Sequence, residues 1–145
     1  MIMSSIKSQF PNSFYFECPL PIRINDINYG GHVGNDRILL FAHEARIQFL
    51  MHHGFTELEL GGTSLLLTRA TIEIRKELFF GDALWISVAA INFSSKGFEF
   101  IYKMERELDS KRELVAAALT SMVCYDYQNK KMDQLPSIVK EKLSY

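Results

Sequence analysis

Side chains that can move a proton concentrate in one short, glycine-rich segment of the chain. Asp26, His32 and Asp36 lie within it, and Glu44 follows a little later. Histidine readily exchanges a proton near neutral pH, and a carboxylate can accept one from water, so each is a candidate general base. Asp26 has a second possible role, because an aspartate in a turn accepts hydrogen bonds from nearby backbone N–H groups. The segment is therefore the first place to expect general acid–base chemistry.

A helix is predicted directly after this segment, from residue 35 or 36 to residue 53. Asn35 can cap its start, Asp36 suits the positive end of its dipole, and Gly54 can end it. The stretch between Ile38 and Met51 is apolar on nearly every face. A helix with this pattern is typical of a buried one, so we expect the rest of the chain to wrap around it.

The remainder of the chain predicts strands, at 14–25, 64–77, 83–93, 98–108 and 113–127, and a short helix at 136–143. Pro19 and Pro21 indicate that the first strand lies at a sheet edge or carries a bulge. The fold class is α+β, an antiparallel sheet of about five strands around one long buried helix. We expect a single domain over 1–145, with a loose N-terminal tail at 1–12 and a C-terminal extension at 128–145. Open sheet edges favour pairing with a second copy.

Composition excludes several classes of protein. The 145 residues carry a formal charge of −1 from 16 basic and 17 acidic side chains, so no large electrostatic footprint for nucleic acid is expected. Cys18 and Cys124 match no metal spacing and are interpreted as reduced, half-buried thiols. His43, His52 and His53 lack ligand spacing, so we expect no metal and no cofactor. No apolar run is long enough for a bilayer and 1–12 is not a signal peptide, so a cytoplasmic protein is expected.

Two runs of sequence resemble a known family. They are IRINDINYGGHVGNDR at 22–37 and FAHEARIQFL at 41–50, and later pieces agree in order: FGDAL at 80–84, LVAAALT at 114–120 and CYD at 124–126. Together they resemble the 4-hydroxybenzoyl-CoA thioesterase-like branch of the hotdog superfamily over roughly residues 16–127.

The resemblance implies hydrolysis of an acyl-CoA, or a related pantetheine thioester, to a free acid and a thiol. It implies a five-stranded hotdog sheet, homodimers joined edge to edge or homotetramers, and active sites at the dimer interface. CoA would be held by its phosphates and pantetheine arm. We expect the N–H groups around Val33 and Gly34 to polarise the thioester carbonyl. The residues expected to bind substrate are Tyr29, Gly30, Gly31, Val33, Gly34 and Asn35.

One position departs from the family pattern. Asn28 stands where the 4-hydroxybenzoyl-CoA enzymes have their catalytic carboxylate. An amide cannot act as nucleophile or general base, although it can orient a water or donate a hydrogen bond to a carbonyl. The catalytic candidates are therefore Asn28, His32, Asp36 and Asp26.

Two other functions stay open. A hotdog acyl-CoA dehydratase or hydratase would use a histidine with a carboxylate, and His32 with Glu44 superficially suits it. The absent acid at Asn28 keeps a third possibility open, a protein that binds acyl-CoA without catalysis.

Overall fold

The computed structural model describes residues 5–144, which form six strands and two helices. In chain order these are β1 (Glu17–Pro21), α1 (Asn35–His52), β2 (Ser64–Ile74), β3 (Ala83–Ser94), β4 (Gly97–Leu108), β5 (Lys111–Asp126), β6 (Lys131–Met132) and α2 (Ser137–Leu143). The strands pair antiparallel in the order β1-β3-β4-β5-β2, and β6 pairs with β5. The predicted α+β architecture, a curled antiparallel sheet with one long helix, is confirmed.

Strand β1 is shorter than the sequence pattern predicts. It ends at Pro21 instead of residue 25, because Ile24–Asp26 form a 3-10 turn that leads into the loop. The two prolines lie in this strand, which pairs only with β3. Their predicted position at the sheet edge is confirmed, where the missing N–H of a proline costs least.

Helix α1 packs against one face of the sheet through a single side. Phe49 and Leu50 are fully buried there, together with strand residues such as Ile86 and Phe100. The opposite side is open, with Leu40 at 48%, Ile47 at 40% and Met51 at 64% exposure. The prediction of a helix buried on all faces is wrong for the isolated chain, because one curled sheet covers only one side of a helix.

The other face of the sheet is covered by the N-terminal segment. Ile6–Gln9 form a 3-10 turn, and Ile6 is buried against Ala89, Ile101 and Ala117. The Ile6 N–H also donates to the Glu73 carboxylate. The expected loose tail is therefore wrong for residues 5–12, and its first four residues lie outside the described part of the chain. An apolar sheet face that would otherwise meet water explains why the segment is held down.

The C-terminal extension completes the main core. Val139 and Leu143 of α2 are fully buried in the cluster that contains α1. Gly61 lies beneath α2 with φ of 63°, and a Cβ there would stand 3.2 Å from both Ile138 and Val139. The left-handed conformation and the close approach both favour glycine at this point.

An arginine ties three strands together on the outer face of the sheet. The Arg112 guanidinium of β5 lies 4.5 Å from the centre of the Trp85 ring on β3. Its Nη1 also donates to Glu17 Oε2 of β1 at 2.6 Å. Within residues 5–144, neither helix has the length and hydropathy that a membrane crossing requires.

Candidate functional site

The loop from Asp26 to Gly34 is fixed by backbone hydrogen bonds. Asn28 N–H donates to His32 O at 2.9 Å, and Gly34 N–H donates to Asp26 O at 3.1 Å. Val33 N–H reaches across to Leu78 O, between β2 and β3, at 2.8 Å. These contacts hold the loop rigidly at the start of α1.

Asp26 supports the loop from inside. Its side chain is buried, and Oδ2 accepts a hydrogen bond from Arg23 N–H at 2.8 Å. Arg37 Nε lies 3.9 Å from Oδ1. This carboxylate therefore helps to hold the segment between β1 and α1 in place. Of the two roles that the sequence allows, general base and acceptor of backbone hydrogen bonds, the contacts are those of the second.

The oxygen and the nitrogen of the Asn28 side-chain amide have different environments. Oδ1 accepts a hydrogen bond from Gly30 N–H at 2.9 Å, as in an Asx turn. Nδ2 is left as a donor on an exposed side chain. Asn28 can therefore donate to a ligand oxygen, while its own oxygen maintains the turn.

The His32 ring is oriented by its neighbours. Nδ1 lies 3.2 Å from Val33 O, and because a carbonyl can only accept, Nδ1 carries the hydrogen. In the neutral ring, Nε2 then holds the lone pair, and it faces Glu77 Oε1 at 3.9 Å. His32 thus presents its basic nitrogen to the loop surface.

Asn28, His32 and Asp36 surround two glycines. A Cβ on Gly30 would stand 3.1 Å from His32 Nε2 and 3.3 Å from Asn28 Oδ1. A Cβ on Gly34 would stand 2.7 Å from Asp36 Oδ1 and 3.9 Å from Asn28 Cβ. The Asp36 side chain is 84% exposed. The structure therefore brings together three of the four predicted catalytic residues, with Asp26 beneath them.

The backbone donors are not those expected. Gly34, and not Asn35, is the N-cap of α1. The N–H groups of Val33 and Gly34 already donate to Leu78 O and Asp26 O, so the expectation that they polarise a carbonyl is wrong. Between residues 5 and 144, those of Asn35 and Asp36 have no acceptor, as is usual in a first helical turn. The available donors are thus one turn further along the chain.

The other predicted binding residues occupy the rim of the same loop. Tyr29 is fully exposed, and Gly31 adopts φ of 82°, a conformation that favours glycine. Glu44 is exposed on the far flank of α1, beside Arg23 and Arg37 in a groove of about 350 Å³. It does not face His32. In the described part of the chain, no group of histidine, cysteine or acidic side chains could hold a metal ion.

A cleft runs from Asp36 along α1 toward β2. Its volume is about 300 Å³, and we call it the α1–β2 cleft. The residues that line it are Asp36, Leu39, Leu40, His43, Arg46 and Leu67. Five of them share one face of α1, at the spacing of successive helical turns.

A buried network of polar side chains lies behind this cleft and was not predicted from the sequence. Arg46 donates from Nε to Glu57 Oε1 at 2.5 Å and from Nη1 to the Tyr102 hydroxyl at 3.1 Å. Tyr102 and Thr120 hydroxyls lie 2.8 Å apart, and His43 Nε2 lies 3.4 Å from Glu57 Oε2. Burial raises the pKa of Tyr102 above its ordinary value of 10.0, so the hydroxyl keeps its proton. The available signal was one arginine on the core side of an apolar helix, which needs a buried acceptor.

Comparison with known proteins gives one family and many similar folds. The sequence profile of a family described as the thioesterase-like superfamily matches residues 22–143. No curated protein sequence matches significantly.

Three solved structures illustrate the similarity of fold. A thioesterase superfamily protein from Jannaschia sp. CCS1 is 17% identical, covers 95% of this chain and 87% of its own, and has a TM-score of 0.81. A 1,4-dihydroxy-2-naphthoyl-CoA thioesterase from Synechocystis is 22% identical over 88% of this chain and 94% of its own, with a TM-score of 0.74. A 4-hydroxybenzoyl-CoA thioesterase mutant in complex with 4-hydroxybenzoyl-CoA is 16% identical over 89% and 98%, with a TM-score of 0.80.

Proposed function

Because the chain belongs to the thioesterase-like superfamily, we propose that it hydrolyses acyl-CoA thioesters at the loop that precedes α1. The observation that carries the proposal is the gathering of Asn28, His32 and Asp36 around Gly30 and Gly34, next to two unpaired N–H groups. Two similar folds are named for CoA thioesters, which supports the substrate class.

The geometry suits the three steps of thioester hydrolysis. The thioester oxygen accepts hydrogen bonds from the N–H groups of Asn35 and Asp36, where the positive end of the helix dipole stabilises the developing oxyanion. A carboxylate or imidazole removes a proton from water as the water oxygen bonds to the carbonyl carbon. The carbon–sulfur bond then breaks, and the CoA thiolate takes up a proton as the free acid forms.

We assign the general base to Asp36, with His32 as the second candidate. Arg37 Nε lies about equally far from both carboxylates, 4.0 Å from Asp36 Oδ2 and 3.9 Å from Asp26 Oδ1. The Asp36 carboxylate is exposed at the start of α1, whereas Asp26 is buried and accepts a hydrogen bond from Arg23 N–H. Asn28 donates from Nδ2 and orients the carbonyl or the water. In this assignment the amide of Asn28 does not take over the role of the family's catalytic carboxylate. The general base is instead Asp36, on the first turn of α1.

We place the complete site at the interface of a dimer. Strand β2 pairs with β5 on one side only, and its residues from Leu66 to Ala70 are exposed. An edge strand with unpaired backbone groups favours pairing with a second copy. The α1–β2 cleft opens beside this edge, so a partner pairing there would cover it.

The test is release of free CoA from a panel of acyl-CoAs, followed with a thiol-reactive chromophore. Wild-type protein releases thiol, and Asp36→Asn lowers kcat by roughly 100-fold or more, as expected for loss of a general base. Asn28→Ala lowers kcat by about tenfold, as expected for one hydrogen bond in the transition state. Asp109→Asn, an exposed turn residue far along the chain from the loop, is the matched control and retains full activity.

The variants also decide between the bases. Loss of activity in His32→Ala with full activity in Asp36→Asn would move the assignment to His32. Activity that survives in all three loop variants would remove this site from the proposal.

Binding of acyl-CoA without turnover is the second candidate function. The amide at Asn28 favours it, because Oδ1 is committed to Gly30 and no acid occupies that position. Thermal stabilisation by CoA esters without thiol release would support it. Hydration of an enoyl-CoA in the same panel would instead support the dehydratase or hydratase.

A further inference from the structure

The His32 ring has an acceptor beside each of its two nitrogen atoms. Nδ1 lies 3.2 Å from Val33 O, which can only accept, so this nitrogen carries a hydrogen. Nε2 lies 3.9 Å from Glu77 Oε1, and an ionised carboxylate is also only an acceptor. Two acceptors that face each other repel, so the arrangement is satisfied when a hydrogen lies between them. A proton on Nε2 provides that hydrogen and makes the ring a proton donor.

The segment that carries Glu77 is fixed beside the loop, although the Glu77 side chain itself is exposed. Arg106 Nη1 of β4 donates to Glu77 O at 3.1 Å, and Val33 N–H donates to Leu78 O at 2.8 Å. Asp82 Oδ2, a few residues later, accepts from the same Arg106 nitrogen at 3.2 Å. The backbone of Glu77 is therefore held by β4 on one side and by the loop on the other.

His32 and Glu77 meet at a cavity of about 40 Å³ beside the start of α1. This volume is roughly that of one water molecule, so an acyl chain does not fit. Asn35, whose N–H is one of the two assigned to the thioester oxygen, lines the same cavity. The sulfur is two bonds from that oxygen and can lie against the cavity. Gly30 keeps the approach open, because a Cβ there would stand 3.1 Å from His32 Nε2.

Glu77 has no competing cation nearby. Lys76 lines the same cavity, but its ammonium donates to Glu113 Oε2 at 2.9 Å. Among residues 5–144, His32 is the one basic group within 4.0 Å of the Glu77 carboxylate. The two side chains are 30% and 63% exposed, so solvent weakens their Coulomb attraction and the pair adds little to stability. The carboxylate instead determines the direction in which Nε2 points.

The mechanism proposed above leaves one proton without a donor. Asp36 removes a proton from the attacking water, and the departing CoA sulfur needs a proton to leave as a thiol. With Nε2 protonated, the carbon–sulfur bond breaks as its electron pair moves to sulfur, and sulfur takes the proton from Nε2. Asp36 then loses its proton to solvent, and solvent reprotonates Nε2. The thioester and water are the only reactants that this sequence consumes.

We propose that His32 protonates the departing sulfur and that Glu77 is the residue that positions His32 for this step. The inference rests on the proposed thioesterase function and assigns a donor to the second proton transfer of that same reaction.

The experiment compares thioesters of one acyl group that differ in the basicity of the leaving thiolate. Octanoyl-CoA and the octanoyl thioester of N-acetylcysteamine release basic alkyl thiolates, which need a proton. The octanoyl thioester of 4-nitrothiophenol releases a weakly basic aryl thiolate, which leaves without one. For both alkyl thioesters, His32→Gln lowers kcat/KM by about 100-fold and Glu77→Gln by about tenfold. For the aryl thioester, each variant loses less than about threefold, because proton transfer to sulfur is not needed.

A double variant tests whether Glu77 acts through His32. Residues that act in one network have non-additive effects. In the His32→Gln background, Glu77→Gln therefore causes no further loss with octanoyl-CoA. Glu141→Gln, the same chemical change on an exposed position of α2, is the matched control and retains full activity with all three thioesters. The urea midpoint of Glu77→Gln stays at the wild-type value, because the exposed pair adds little to stability.

Equal losses for the alkyl and aryl thioesters would overturn the inference, because the pair would then act on the attacking water or on the shape of the loop. Additive losses in the double variant would overturn the positioning role of Glu77. If wild-type protein releases thiol from none of the three thioesters, the proposed function fails and the inference fails with it. The first two results leave thioester hydrolysis intact, so the two failures are distinguishable.

Discussion

Gly34 leaves room for the Asp36 carboxylate at the point where the loop becomes α1. An added methyl would stand 2.7 Å from Asp36 Oδ1, which is closer than real contacts allow. Gly34 has φ of −70°, so alanine fits the backbone and the carboxylate must move instead. We predict that Gly34→Ala lowers kcat for acyl-CoA hydrolysis at least tenfold and costs about 1 kcal/mol in the free energy of unfolding.

Kinetics and urea unfolding of the same preparation check this prediction. A Gly34→Ala protein with wild-type kcat would show that the position of the Asp36 carboxylate does not matter for turnover.

Burial makes the thiols of the two cysteines unreactive. Cys18 and Cys124 are both buried, more deeply than the half-burial expected from sequence, and burial raises the pKa of each thiol from 9.0 to about 11. At pH 8 the reactive thiolate is then about 100-fold scarcer than for an ordinary thiol. We predict no reaction with a thiol reagent in the folded protein over minutes, and complete reaction after denaturation.

A thiol count by absorbance in buffer and in guanidinium measures this directly. Rapid reaction of one thiol in buffer would mean that its part of the core opens.

Single residues were predictable where local chemistry decides their role. Asp26 was expected to bond backbone N–H groups because an aspartate in a turn does so within a few residues. The donors at Val33 and Gly34 were misassigned because the acceptor for Val33 is Leu78, far away in the sequence. The role of Arg46 depends in the same way on Glu57 and Tyr102, which only the folded chain brings to it.

Whole elements were predictable where hydrophobic periodicity is long. Helix α1 begins at one of the two expected residues, and β3, β4 and β5 agree with the predicted ranges to within two residues. The N-terminal segment was not predictable, because its few apolar residues show no period. These apolar residues become buried only because the folded sheet has a second apolar face for them to cover.

That segment gives a prediction about stability. Ile6 is buried against Ala89, Ile101 and Ala117, so Ile6→Ala removes apolar contact on the outer sheet face. We predict a loss of about 2 kcal/mol in the free energy of unfolding, measured by urea denaturation.

Lys7→Ala is the control, because Lys7 is exposed on the same turn. If both variants unfold at the wild-type urea concentration, the segment does not contribute to stability.

At the scale of the whole molecule, one edge of the sheet favours pairing with a second copy of the chain. Strand β2 is long and exposed along its outer side, whereas β1 at the other edge is short and contains two prolines. Antiparallel pairing of β2 about a two-fold axis brings one of its residues opposite its own copy. We predict that cysteine scanning of Thr68, Arg69, Ala70 and Thr71 yields a covalent dimer on oxidation for at least one position.

The buried native thiols give this experiment a low background. Pro19→Cys, on the β1 edge, is the control and stays monomeric in a denaturing gel. Cross-linking there with none along β2 would transfer the dimer contact to the other edge.

Acidic solution weakens the contact between Arg112 and Glu17 on the outer face of the sheet. The hydrogen bond from Arg112 holds the pKa of Glu17 below its ordinary value of 4.5. Since the folded state has the lower pKa, this contact stabilises the fold above pH 4.5 and is lost as the pH falls through the folded value. We predict that wild-type Tm drops more steeply than that of Glu17→Gln between pH 5 and pH 3, by calorimetry. Parallel curves would show that the pair adds nothing.

Trp85, which lies under the Arg112 guanidinium, is also an intrinsic fluorescent probe of the protein. Trp85 is its single tryptophan and alternates with Leu84 and Ile86, which face α1, so its indole emission arises on the far side of the sheet from the cleft. Its fluorescence will follow the detachment of β1 and β5 during unfolding and stay constant when the cleft is filled. Folding and occupancy can therefore be read separately in one cuvette, without any label.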